Sequence, residues 1–131
     1  MDEQIGSLTR DEILNTSESR HESGSWRGRV YWLRSPSALE YSRAEILSYA
    51  NVDMDDPEKK AQAYLEFHCR SIACCLVDDP VKYNLLFMTT KGSDDLESLK
   101  NIEAGLLKEL FQHVSQLVGV EEGEIENAEK N

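Results

Sequence analysis

Four side chains in one short stretch carry the chemistry most easily recruited for catalysis or metal binding: His68, Cys69, Cys74 and Cys75. Imidazole and thiolate are the usual ligands of zinc, so spacing decides whether they act together. On a helix Cys69 and Cys74 are five residues apart and Cys75 adjoins Cys74, so the three thiols point in different directions. No Cys-x-x-Cys pair occurs elsewhere to complete a site. Free cysteine is among the residue types most often buried, which makes these three packing residues. His68 and His113 fall on or beside apolar helical faces, and no nucleophile and orienting acid stand at a spacing that would make either one a base. The acidic run Asp53, Asp55, Asp56 and Glu58 lacks the glycine at position six and the glutamate at position twelve that a calcium loop requires, so it reads as a solvated loop and helix cap. Gly24, Gly28 and Gly92 are scattered and form no phosphate-cradling loop. No catalytic residue, cofactor or metal ion is expected.

A charge asymmetry is more informative. From Arg20 to Arg43 the chain holds five of its seven arginines beside only two acids, interleaved with Trp26, Tyr31, Trp32 and Tyr41. Tryptophan, tyrosine and arginine are enriched at protein-binding hot spots, because they combine large contact area with fixed hydrogen-bonding geometry. Trp26, Arg29, Tyr31, Trp32 and Arg34 are therefore the candidate partner-binding residues. The competing reading is that both tryptophans close a small core.

The elements that must position these residues follow from composition. A length of 131 residues with 40% apolar content fits one modest core. The net charge of −11 opposes a phosphate backbone, so nucleic acid is not an expected partner. No apolar run approaches the roughly 20 residues that span a bilayer, and the start Met1-Asp2-Glu3-Gln4 is acidic where a secretory signal is basic. Three cysteines are an odd number and suit a reducing, cytosolic setting.

The reading divides the chain into residues 1–25, a short N-terminal helix and mobile link; 26–119, a helical domain; and 120–131, an acidic flexible tail. Thr9 and Glu12 form a capping box ahead of Ile13-Leu14, whereas Asn15 to Ser25 has almost nothing to bury and reads as a loop. Trp26 to Arg34 is rich in β-forming residues, with Val30 and Trp32 on one face and Tyr31 and Leu33 on the other. Ser35-Pro36 and Ser37-x-x-Glu40 both signal a helix start, and Leu39, Arg43, Ile46, Leu47 and Ala50 follow its 3.6-residue period. Asp56-Pro57 opens a central helix whose face runs through Tyr64, Leu65, His68, Ile72, Cys75 and Leu76 until Asp78-Asp79-Pro80 stops it. Leu85 to Met88 is too short to separate strand from turn. Asp94-Asp95 opens another helix, and Ile102, Leu106, Leu110, Phe111, Val114, Leu117 and Val118 form the broad stripe of a last one, with Gly119 as its left-handed cap. The fold class expected is mainly α, with four to five helices and one short β strand or hairpin near residues 26–34.

The order of these blocks resembles the tail assembly chaperones of long-tailed, lambda-like bacteriophages, in the short form made before a frameshift. Leu8-Thr9-Arg10-Asp11-Glu12-Ile13-Leu14 and Trp26-Arg27-Gly28-Arg29-Val30 look like the family's start, where a Trp-Gly-Gly-x-Val element is common; Arg27 departs from its first glycine. Val77-Asp78-Asp79, Leu86-Phe87 and Ser93-Asp94-Asp95 match its middle. Phe111 to Val120, the acidic stretch and the terminal Glu129-Lys130-Asn131 look like its closing helix and tail.

The resemblance implies a protein that is not an enzyme. It would bind the tape measure protein in the host cytoplasm, keep its long hydrophobic helices soluble, and help recruit the tail tube protein through a longer frameshifted form. It would be absent from the mature virion, and self-association is compatible with it. Glu-Lys-Asn can be written GAA-AAA-AAC, which contains a slippery heptamer. The alternative is a small acidic helical adaptor or inhibitor unrelated to phage tails, using its surface to occupy a basic site.

Overall fold

The computed structural model describes residues 6–15, 21–81, 84–88 and 94–119. In chain order the elements are α1 (Arg10–Asn15), β1 (His21–Trp26), β2 (Arg29–Arg34), α2 (Ala38–Tyr49), α3 (Pro57–Ala73), β3 (Leu76–Val77), α4 (Leu96–Lys100) and α5 (Ala104–Leu117). The strands form one antiparallel sheet in the order β1-β2-β3. The fold is therefore mixed α/β and not mainly α, which corrects the expectation from sequence. Five helices are present among the described residues, but the single short strand or hairpin is a three-stranded sheet.

Two segments account for the difference. His21 to Ser25, read as part of a loop, is most of β1 and pairs along its whole length with β2, from His21↔Arg34 to Trp26↔Arg29. Its own residues are poor strand formers, so the pairing is driven from across the ladder. Gly24 lies opposite Tyr31, whose ring crosses it so closely that a Cβ there would come within 2.3 Å of Tyr31 Cζ. The second segment is the end of the central helix. α3 stops at Ala73, before Asp78-Asp79-Pro80, and Leu76 and Val77 leave the helix to pair with Leu33 and Trp32. Beyond β3, Leu85 bridges Val77 and Met88 bridges Asp94.

Local signals set the other boundaries as read. Ser37 caps α2 in a full capping box with Glu40, Asp56 caps α3 ahead of Pro57, and Asp95 caps α4. Thr9 and Glu12 exchange both bonds of the box that opens α1. The turn between β1 and β2 holds Arg27 at φ +51° and Gly28 at φ +81°, the positive pair that a tight two-residue hairpin needs. The core gathers Leu33 and Leu76 from the sheet, Cys69, Ile72 and Ala73 from α3, Leu99 from α4, and Leu110, Val114 and Leu117 from α5. α2 lies against α3 through Tyr41 on Phe67 and Tyr49 on Tyr64 and Phe67. Of the mobile link expected over 15–25, residues 16–20 fall outside the described residues, as does the flexible tail expected at 120–131.

Candidate protein-binding surfaces

The hairpin carries all five residues singled out for partner binding, but the structure gives them different work. Tyr31 is half-buried and points at α5, its hydroxyl 2.9 Å from both Glu109 Oε2 and His113 Nδ1. His113 Nε2 lies 2.9 Å from Glu22 on β1, so one imidazole ties both strands of the hairpin to the helix. Burial and the Glu109 carboxylate push the Tyr31 phenol far above its ordinary range, leaving it a hydrogen-bonding group. Arg34 is likewise internal: its Nε donates to the Cys74 carbonyl at 3.1 Å and its guanidinium pairs with Glu40. Trp26 packs on Gly105 at the start of α5, where a Cβ would meet the indole at 3.0 Å, and carries the Arg27 guanidinium 5.3 Å above its ring. Trp32 is half-buried with the His21 ring 6.2 Å away. Arg29 is exposed and makes no ion pair among the described residues.

Trp26, Arg29, Tyr31 and Trp32 line one groove at the turn end of the sheet; Arg34 lies outside it. Its volume is about 470 Å³. Leu76, Leu106 and Leu110 reach it from the core, while Val30 and Leu86, 64% and 52% exposed, stand at its rim.

A second apolar surface lies on α2. Leu39, Ile46 and Leu47, which follow the 3.6-residue period of α2, are 73%, 62% and 52% exposed. The helix has a second stripe, and that one is buried. Ala44 and Ser48 meet α3 between the two tyrosines, with the Ser48 hydroxyl bonded to Ala44 O and accepting from Arg70. Small side chains between aromatics let two helices approach closely, and this was the available signal. The exposed stripe borders a second groove of about 270 Å³ whose far wall is Leu85, Met88 and Asp94. Arg43 also lines it, with no hydrogen bond or ion pair among the described residues. Burial raises the Asp94 carboxyl, against the opposing pull of Arg70 and Arg43.

No group of three or more metal-ligating side chains exists among the described residues. The thiols are buried, with Cys74 Sγ and Cys75 Sγ 3.9 Å apart. Burial pushes the Cys69 thiol up to about 11, while the hydrogen bond between Cys75 and Cys74, together with burial, pushes Cys75 higher, so neither Cys69 nor Cys75 is set up as a nucleophile. His68 stacks on Phe111 with ring centroids 3.8 Å apart. No helix among the described residues is long and apolar enough to cross a membrane. Comparison with protein families, with curated proteins and with solved structures gives no match to this chain.

Proposed function

We propose that the chain is a tail assembly chaperone of a long-tailed, lambda-like phage, a non-catalytic protein that holds the tape measure protein through the apolar ridge of α2. The observation that carries this reading is the ridge itself. Leu39, Ile46 and Leu47 occupy one helical face, more than half exposed, beside a groove walled by Leu85 and Met88. Such a face loses free energy to water until another apolar surface covers it, and an amphipathic helix is the partner whose spacing matches. The net charge of −11 keeps a loaded complex from aggregating.

The turn lends support from a separate direction. Position 27 has φ +51°, a conformation that glycine adopts freely, and it is where the family's Trp-Gly-Gly-x-Val element carries its first glycine. In this reading the short form acts in the host cytoplasm, a longer frameshifted form recruits the tail tube protein, and neither enters the virion.

Co-expression with a tape measure protein tests the proposal. The chaperone keeps that protein in the soluble fraction and co-purifies with it, and binding weakens little between low and moderate salt because apolar contact dominates. A tape measure protein that stays insoluble in its presence, or an interaction lost steeply with salt, would sink the reading. A gene in which the last three codons lack consecutive adenines would remove the frameshifted form.

A further inference from the structure

Among the described residues, no strand lies beside the turn end of β2 beyond its short pairing with β3. β3 pairs with β2 only at Trp32↔Val77 and Leu33↔Leu76, after which the chain turns away, with the Asp78 amide donating to the Asn84 carbonyl. Along an antiparallel strand, alternate residues direct both main-chain groups to the same neighbour. The Arg34 amide donates to the Cys75 carbonyl, so Arg34, Trp32 and Val30 all face the β3 side. Val30 thus presents its N–H and C=O where β3 has departed, and no described residue pairs with them. That edge, unpaired among the described residues, opens onto the groove at the turn end of the sheet, where Leu110 of the core and the half-buried Leu106 are reached from outside. Arg29 lines the opening without an ion pair among the described residues, whereas Arg27 is already held by Glu103 and the Asp78 carboxylate, also in the lining, accepts from the Asn84 backbone and side-chain amides.

We propose that this gap takes an extended segment of a partner protein, apolar at its centre and carboxylate-bearing at one end, which adds to β2 as a strand at Val30. Main-chain bonds to Val30 set its register. Residues of the segment then alternate between the Val30 and Leu86 rim on one face and Leu106 and Leu110 on the other, as strand geometry requires. The carboxylate meets Arg29, the unpaired cation beside the groove. This surface goes beyond the chaperone reading and does not depend on it, since the α2 ridge suits a helix and the gap suits an extended chain.

The test uses the full chain and a synthetic nine-residue peptide of alternating valine and threonine ending in two glutamates, with a twin ending in two lysines. The glutamate peptide should slow exchange of the Val30 amide and shift the Val30 and Trp32 resonances, and the lysine peptide should bind at least about tenfold more weakly. Val30→Pro removes the donor at an edge position where proline is tolerated, so the melting temperature should hold while binding falls more than about tenfold. Arg29→Glu should reverse the preference between the two peptides, and decides the matter if Val30→Pro fails to fold. Leu47→Gln on the ridge should change neither result, which separates failure here from failure of the chaperone reading. Equal binding by a folded Val30→Pro chain, an unchanged preference in Arg29→Glu, or protection confined to α2 would overturn the assignment. So would a dimer in sedimentation that Val30→Pro dissolves, which would put a second copy in the gap. Val30 protection in the free chain that disappears when residues 121–131 are deleted would assign the gap to the chain's own tail and overturn it equally.

Discussion

Replacing Leu39, Ile46 and Leu47 together by glutamine is the sharpest probe of the α2 ridge. Full burial of an aliphatic side chain of this size is worth about 1.5–3 kcal/mol, and between half and three-quarters of each is still exposed to water. A partner that covers the ridge would therefore gain about 1–2 kcal/mol from each residue, or about 3–6 kcal/mol from the three. The triple substitution should weaken binding of an amphipathic tape measure helix by roughly 10²- to 10⁴-fold in calorimetric titration. Folding should hardly respond. Glutamine matches leucine in helix propensity, the three side chains contribute little to the core, and exposed substitutions usually cost within about 0.5 kcal/mol each. The melting temperature should fall by no more than about 6 °C, at about 4 °C per kcal/mol for a chain of 131 residues. A collapse of stability would mean that the ridge is packed in the folded protein. Unchanged affinity with an intact fold would mean that the ridge is not where the partner binds.

Four further outcomes follow from the hairpin and its supports. Tyr31→Phe leaves Glu109 and His113 without the hydroxyl they share, and should cost about 1–3 kcal/mol in denaturant unfolding while the ring still fills its place. Arg27→Gly relieves a left-handed arginine worth about 1–2 kcal/mol but forfeits the contact with Trp26 and the exposed pair with Glu103, so stability should stay within about 1 kcal/mol; Arg27→Val should be clearly destabilising. Burial raises the Glu40 carboxyl, but the Ser37 amide and Arg34 outweigh it and hold it below its ordinary 4.5. A depressed folded-state value stabilises the protein above about 4.5 and is lost as pH falls through the lowered value, so the stability gap between wild type and Glu40→Gln should shrink below that pH in acid titrations. The three buried thiols should ignore a thiol reagent at pH 8 and react together once the chain is unfolded.

Helix starts were legible because capping is a local contract between residues three apart. Ser37 with Glu40, Thr9 with Glu12, and Asp56 ahead of Pro57 all appear in the structure as the sequence implies. The stripe of α5 was equally plain, since Leu110, Val114 and Leu117 are buried at helical spacing. The candidate site was legible only in part. Aromatic and arginine content marked the hairpin, and four of its five residues do line one groove, but composition could not tell that Tyr31 and Arg34 are tied into the interior. Nor could it show that the apolar stripe of α2 faces out.

By itself the sequence determined what depends on neighbours along the chain: where helices begin and which of them are amphipathic. The tertiary structure decided what depends on residues far apart. β1 and β3 are strands because β2 offers them partners, not because His21–Ser25 or Leu76–Val77 demand it. α2 carries two stripes of similar period, and its own residues do not say which one is buried. That choice was made by α3, whose Tyr64 and Phe67 receive Tyr41 and Tyr49 and whose Arg70 reaches Ser48, leaving Leu39, Ile46 and Leu47 in water. Burial is a property of a pair of surfaces, and periodicity describes only one of them.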